Sequence, residues 1–235
     1  MIYIVIPVYN HREALNECLS SLYKQTLRPD KIVIVDDGSS DDPSVTVDKW
    51  KDKLPISLVK QENQGACVAR NNGFEICDVT PGDFVMFSDA DVDFRSDALQ
   101  RFKEKLDASP DASFSYCSFM FGLKKFECGS YSPEKLKKMP FITTTSLIRV
   151  EHFPGFDESL KKFQDWDLWL TMLSRGHTGV WVSDVLFKVK PRADGISSWL
   201  PSFLYKIPWP ILGYTPKEIA KYLAAREIIA AKHDL

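Results

Sequence analysis

The sequence predicts an α/β protein: a mostly parallel sheet flanked by helices, followed by a C-terminal extension. Three observations carry this. Short, β-branched apolar runs recur in the first half, at 2–6, 31–35, 56–60 and 83–88. Segments with apolar residues at helical spacing separate them. Polar clusters directly follow three of the runs, as "PVYN", "DDGS" and "SDAD". Alternating strands and helices build βαβ units with right-handed crossovers. Ligands of such sheets bind beyond the carboxyl ends of the strands, where these clusters fall.

Taken in order, "IYIVI" at 2–6 reads as a buried strand ended by Pro7. Ala14, Leu15, Cys18, Leu19 and Leu22 then mark an amphipathic helix over about 11–25. "KIVIV" at 31–35 is a second strand, closed by the turn signal "DDGSSDD". "ISLVK" at 56–60 is a third, and a helix follows Gly65 over 65–77. "DFVMFS" at 83–88 is the fourth strand, and 97–107 reads as a helix capped by Ser96. The second half is less regular. "ASFSYCSFMF" and "TTTSLIR" read as strands, "DWDLWLTMLSRG" as a helix closed by Gly176, and "GVWV" and "VLFKV" as two short strands. The tail from Pro216 to Lys232 reads as a helix. These readings put one domain at 1–195 and an extension at 196–235.

The chain has 235 residues, 44% of them hydrophobic and 26% charged, which is ordinary for a soluble globular protein. A net charge of -2 leaves no basic stripe for phosphate neutralisation, so nucleic acid is not the expected partner. Five scattered cysteines without a C-x-x-C pair suit a reducing compartment. The N-terminus lacks a basic region and a cleavage site, and no run approaches the ~18 apolar residues of a spanning helix. The expected location is cytoplasmic.

The chemistry concentrates in "FSDADVDF", residues 87–94. Asp89, Asp91 and Asp93 sit at alternate positions after a buried strand, where like charges repel. A solvated Asp turn is the plain explanation. An EF-hand loop fails, because its sixth and twelfth positions hold Phe94 and Gln100 instead of Gly and Glu. A divalent cation beside a phosphorylated ligand is the third possibility, since the metal offsets the repulsion.

Taken together, "IVIPVYN", "IVIVDDGSSDD", "NQGACVARNNG", "FSDAD" and "GFDESLKKFQDWDLWL" resemble family 2 glycosyltransferases of the GT-A fold, a Rossmann-like architecture. The resemblance runs in order from residue 2 to about residue 198. It implies a nucleotide-sugar donor, a UDP-sugar by expectation, and Mn²⁺ or Mg²⁺ as cofactor. Tyr9 would stack on the base, bordered by the Pro7 and Val8 backbone. Asp37 would accept from the uracil ring N–H, while Asp36 orders the loop. Arg70 would lie near the nucleotide, where its fork of donors suits phosphate or carboxylate. Asp89 would touch the ribose and Asp91 would hold the metal. Asp165, after Gln164 where the family commonly has Glu, maps to the catalytic base. Trp166 and Trp169 are candidates for lining an acceptor site, with core packing as the alternative. Asp167 reads as a helix-start carboxylate.

The match breaks at "FKVKPRADGIS", where Lys190 occupies the place of a metal-binding histidine. Lysine offers no lone pair at neutral pH, so it is a candidate for meeting the diphosphate directly. The implied activity is inverting transfer to a glycan or lipid-linked acceptor in cell-surface polysaccharide synthesis. The rivals are a nucleotidyltransferase and a catalytically weak sugar-nucleotide scaffold. Against the first, "PVYNHREALNE" has no glycine for a phosphate loop. In the extension, Trp199, Leu200, Phe203, Leu204, Trp209 and Ile211 read as a strap over the core, an oligomer contact, or a peripheral patch at the inner membrane face.

Overall fold

The computed structural model describes residues 1–190, 207, 209 and 215–235. The proposed division at residue 195, and all of the aromatic stretch except Ile207 and Trp209, lie outside the described residues.

The first half follows the strand-helix alternation. β1 (Ile2–Val8), β2 (Lys31–Asp37), β3 (Ile56–Gln61) and β4 (Phe84–Phe87) form a parallel sheet in the order β3-β2-β1-β4. α1 (Arg12–Tyr23), α2 (Ser44–Trp50) and α3 (Ala66–Glu75) connect them. Beyond β4 the nine-stranded sheet continues as β8 (Leu147–Arg149), β6 (Phe114–Phe121), β9 (Gly179–Val189) and β5 (Val92–Phe94), with β7 (Lys124–Phe126) paired to β6. β8 is antiparallel to both β4 and β6, β5 to β9, and β7 to β6, while β6 and β9 run parallel. Six of the nine strands therefore point one way. Among the described residues the remaining α-helices are α4 (Ala98–Asp107), α5 (Pro133–Lys138), α6 (Gln164–Ser174) and α7 (Lys217–His233). Among the described residues, no helix is long and apolar enough to cross a membrane.

Alternation along the strands divides the core into two layers. Ile2, Ile4 and Ile6 join Leu15, Leu19, Leu22 and Phe102 on one face. Tyr3, Val5, Val33 and Val35 join α3 and Trp166, Trp169 and Met172 of α6 on the other. Gly73 lets α3 lie close on the sheet, because a Cβ there would stand 2.5 Å from Val5 Cγ1 and 2.9 Å from Val35 Cγ2. That approach holds the first turns of α3, Arg70 included, over the carboxyl rim of β1 and β2. All five cysteines are buried thiols.

Several details correct the sequence reading. "GVWV" and "VLFKV" are one strand, because a bulge opposite Cys117 and Ser118 lets the pairing with β6 continue through it. Ser96 is not the cap of α4. Asp97 stands at that position, its carboxylate is taken by Arg95, and Gln25 reaches across to accept from Leu99 N at 3.1 Å. Trp166 and Trp169 line no acceptor site. They are 2% and 0% exposed, and their indole N–H groups donate to Leu136 O and Ile142 O.

Candidate active site

The site begins where two neighbouring strands part. The β1–β4 ladder ends at Val5↔Phe87, with Ser88 N donating to Val5 O at 3.0 Å. β1 runs on beside β2 to Val8↔Asp36. β1 is flanked by β2 on one side and β4 on the other, so the chain order reverses across it. That is the switch point at which open α/β sheets bind ligands.

The β1 and β2 loops are tied together at the rim. Asn10, at φ 55, donates its N–H to Ser39 Oγ, and its Oδ1 accepts from Ser40 N at 2.7 Å. Asp36 accepts from Ser39 N at 2.9 Å, which is the loop-ordering role read from sequence. Asp37 is also structural here. Its carboxylate, 3% exposed, accepts from Gln61 Nε2, Gln64 N and Gly65 N at 2.8–2.9 Å. Gly65 enters α3 at φ 95, a conformation that glycine adopts without steric cost. Tyr9 stands at this rim with half its surface exposed, while Val8 is buried. Asp37→Ala is expected to lower stability by ~2 kcal/mol in urea denaturation, since charge-assisted bonds to Gln64 and Gly65 are lost. Asp37→Asn, which keeps one acceptor oxygen, should fall between.

Across the crevice, Arg70 organises the second half of the site. Its guanidinium is buried, with 6% of the side chain exposed. Nη2 donates to Asp89 Oδ1 at 2.6 Å and Nη1 to Gln164 Oε1 at 3.0 Å. The Phe156 ring lies 5.3 Å from Cζ. Arg70 thus links the carboxyl end of β4 to the first residue of α6. Gln164 also donates to Leu160 O at 3.0 Å, so the neutral amide serves as a two-way connector. Neighbouring Asn71 holds the same loop, exchanging hydrogen bonds with Phe156 N and O at 2.8 and 2.9 Å.

Asp165 follows directly. Its own surface is half-buried, yet it lies deep among surrounding protein, and that desolvation pushes its carboxyl up to about 6. The Trp166 N–H and the Arg70 cation work in the lowering direction and Asp89 in the raising direction. The residue before the helix, Phe163, has φ 59 and ψ 30. A bulky side chain in the left-handed region stores strain, on the order of 1–3 kcal/mol, and such strain clusters at functional sites. Its ring packs against Trp166 and Tyr222.

The remaining candidates lie close by. Asp91 is half-buried, and its carbonyl accepts from Lys190 N at 3.4 Å. Lys190 directs its ammonium to Glu17 on α1, and the pair is exposed. Glu17 raises the Lys190 pKa. Asp93 is exposed on β5, opposite Lys188. No group of three His, Cys, Asp or Glu side chains among the described residues forms a metal cage. The donor set still fits a hard divalent cation. Asp89 is engaged by Arg70, and Asp91 follows two residues on with the hard oxygen donors that magnesium-like ions take, one or two carboxylates at a time with substrate phosphates. A cavity of about 390 Å³ elsewhere, lined by Arg101, Lys105, Tyr131 and Trp181, shares no residue with this crevice.

Asn10, Asn71, Phe156 and Phe163 were not singled out by sequence. Positive φ at Asn10 and Phe163 belongs to the folded backbone, and the Asn71–Phe156 pairing spans 85 residues.

Comparison with known proteins agrees with this architecture. Residues 3–163, more than half the chain, match the family described as Glycosyl transferase family 2. The amylovoran biosynthesis glycosyltransferase AmsE of Erwinia amylovora is 27% identical over 218 residues, covering 84% of this chain and 79% of AmsE. The chain spans only about a quarter to a third of several other curated relatives. The S. aureus TarS 1–349 structure in complex with UDP-GlcNAc superposes with a TM-score of 0.71 at 21% identity, over 99% of this chain and 71% of that one. The mannosyltransferase PcManGT from Pyrobaculum calidifontis, solved with GDP-Man and Mn²⁺, gives 0.68 at 17%, over 98% and 80%. The parallel strands with their antiparallel continuation thus form a GT-A fold, and the chain belongs to glycosyl transferase family 2.

Proposed function

We propose that this glycosyltransferase moves a sugar, with inversion, from a UDP-linked donor to a hydroxyl of a growing glycan or lipid-linked acceptor. The observation that carries this reading is the Arg70 bridge, which brings Asp89 and Gln164 together beside the desolvated carboxyl of Asp165. Asp165 takes the proton of the acceptor hydroxyl as its oxygen attacks the anomeric carbon. The bond to the diphosphate oxygen breaks with its electron pair, and the nucleoside diphosphate departs. A base titrating near 6 is ionised at neutral pH yet still basic enough to accept that proton. An α-linked donor then yields a β-linkage.

Tyr9 forms the stacking platform for the base, with the Pro7 and Val8 backbone beside it. Asp37 shapes the base pocket through Gln64 and Gly65, and its fourth lone-pair position offers the uracil acceptor. Asp89 faces the ribose. Asp91 would hold Mn²⁺ or Mg²⁺, which when bound stabilises charge on the departing diphosphate as a Lewis acid. Lys190 exchanges Glu17 for the diphosphate when donor enters. Residues 1–195 make up the catalytic domain and 196–235 the extension. The relation to an amylovoran biosynthesis enzyme supports the polysaccharide setting.

Thermal-shift screening of UDP-GlcNAc, UDP-Glc, UDP-Gal and GDP-Man, with and without Mn²⁺, is the first test, because ligands of the native state raise Tm. Stabilisation by a UDP-sugar and release of UDP on turnover are expected. Binding with no turnover against any acceptor would assign the chain to a scaffold role. For the metal, Asp91→Asn should remove the gain in donor affinity that Mn²⁺ gives wild type in calorimetry, by ~10-fold or more. An unchanged Mn²⁺ response in that variant would falsify the ligand assignment.

A further inference from the structure

Asp167 lies two residues beyond Asp165, about 200° further round α6 at 100° per residue. Asp165 therefore faces the crevice while Asp167 faces the opposite side. Asp167 is buried, 3% exposed. Its carboxylate is met by two consecutive residues at the end of α7. His233 Nε2 lies 2.7 Å from Oδ1, and Lys232 Nζ lies 2.8 Å from Oδ1 and 3.0 Å from Oδ2. Lys232 also donates to Asp157 Oδ2 at 2.6 Å, on the loop that leads into α6. This contact holds the Asp157 carboxyl at about 2, well below its ordinary value. Two apolar contacts run beside the polar ones. Ile229 is fully buried in the layer that contains Trp166 and Trp169, and Tyr222 packs edge-on against the strained Phe163, with centroids 5.2 Å apart.

We propose that α7 is a positioning clamp for the catalytic base. Lys232 and His233 fix the back of α6 through Asp167, and Lys232 fixes the incoming loop through Asp157. Together they set the rotation of α6 and so the direction in which Asp165 meets the acceptor hydroxyl. Gln164, held by Arg70 on the crevice side, is the opposing anchor. Lys232, His233 and Asp167 are positioning residues that touch no substrate. This inference rests on the reading of Asp165 as the base.

The test is a double-mutant cycle in the 235-residue chain, with the sugar nucleotide chosen by the thermal-shift panel. Lys232→Ala/His233→Ala should lower kcat on the order of 10-fold, since small misplacements of a reacting group cost up to ~10²-fold. Donor KM should stay within about twofold, and Lys232→Arg alone should keep most of the rate. Hydrogen exchange at the amides of residues 164–168 should quicken in the double variant. In an Asp165→Asn background the clamp variant should cause no further loss, because the two act through one group. Unchanged exchange and kcat in the double variant would overturn the clamp, and so would an equal further loss in the Asp165→Asn background. Wild-type turnover by Asp165→Asn itself would overturn the base instead, and exchange at 164–168 would still report on the clamp. If the double variant does not fold, Asp167→Asn, which keeps size and one acceptor oxygen, repeats the measurement.

Discussion

Asp165→Asn is expected to lower turnover by ~10²-fold or more while leaving donor affinity near wild type, because a general base supplies a factor of that size. The same substitution should stabilise the protein above neutral pH. The Asp165 carboxyl is raised from its ordinary 3.8 to about 6 by burial. A group with a raised native pKa contributes stability in full below its unfolded pKa and loses it as pH climbs through the native value. From about pH 4 to 6 the native state therefore gives up that advantage. Above this window it carries an ionised, desolvated carboxylate at a cost on the order of 2–3 kcal/mol. Asparagine has the same shape, keeps an acceptor for the Trp166 N–H and has no charge to desolvate. Its Tm should exceed wild type at pH 8 and converge with it near pH 4. A variant that loses donor binding, or melts lower at pH 8, would move Asp165 from the chemistry to the fold.

Arg70→Met is expected to be as damaging by a different route. The guanidinium is nearly buried and engages Asp89 and Gln164 at once. Methionine is close in volume and can rest on Phe156, so the fold should survive. Asp89 is half-exposed and can be solvated when its partner goes. Asp165 cannot, and it loses the cation that lowers its pKa. The ionisation that governs kcat should therefore move upward from about 6, with turnover at pH 7 down by roughly 10²-fold and partly recovered near pH 8.5. Donor affinity should fall as well, because Asp89 is no longer held at the end of β4. Arg70→Lys keeps the charge but cannot span two acceptors in different directions, and should retain an intermediate rate. A downward shift, or no shift, in the kcat ionisation of Arg70→Met would contradict the electrostatic role.

The first half of the fold was legible because β1, β2 and β4 are buried on both faces. Such strands read as unbroken apolar runs, and 2–6 and 31–35 could hardly be anything else. The turn chemistry after them placed the rim, and the family resemblance then nominated Tyr9, Asp37, Asp89 and Asp91 on it. The second half hid its elements for physical reasons. β5 and β7 are three residues each, too short to show a period, and α5 is six residues; β8 was read within "TTTSLIR", of which its last three residues are strand. α2 is polar over much of its length, with Thr46 and Val47 its buried residues. For Trp166 and Trp169 the sequence left acceptor lining and core packing both open, because α6 is buried on several sides and a helix in that setting has no single apolar stripe to read. The partners that define the site electrostatically are remote in sequence. Arg70 meets Gln164 across 94 residues, Asp167 meets His233 across 66, and Lys190 meets Glu17 across 173. No local pattern encodes such pairs. The carboxylates could be named from sequence, but not that Arg70 holds Asp89 or that burial raises the Asp165 carboxyl.

The most direct test of Asp165 as a base tuned by its surroundings is the pH dependence of kcat, measured by release of nucleoside diphosphate from pH 5 to 8.5. Wild type should rise through a single ionisation near pH 6 and then level off, and Asp165→Asn should be uniformly slow with that ionisation absent. A wild-type profile that is flat across the range, or a limb near 6 that persists in Asp165→Asn, would mean that another group accepts the proton.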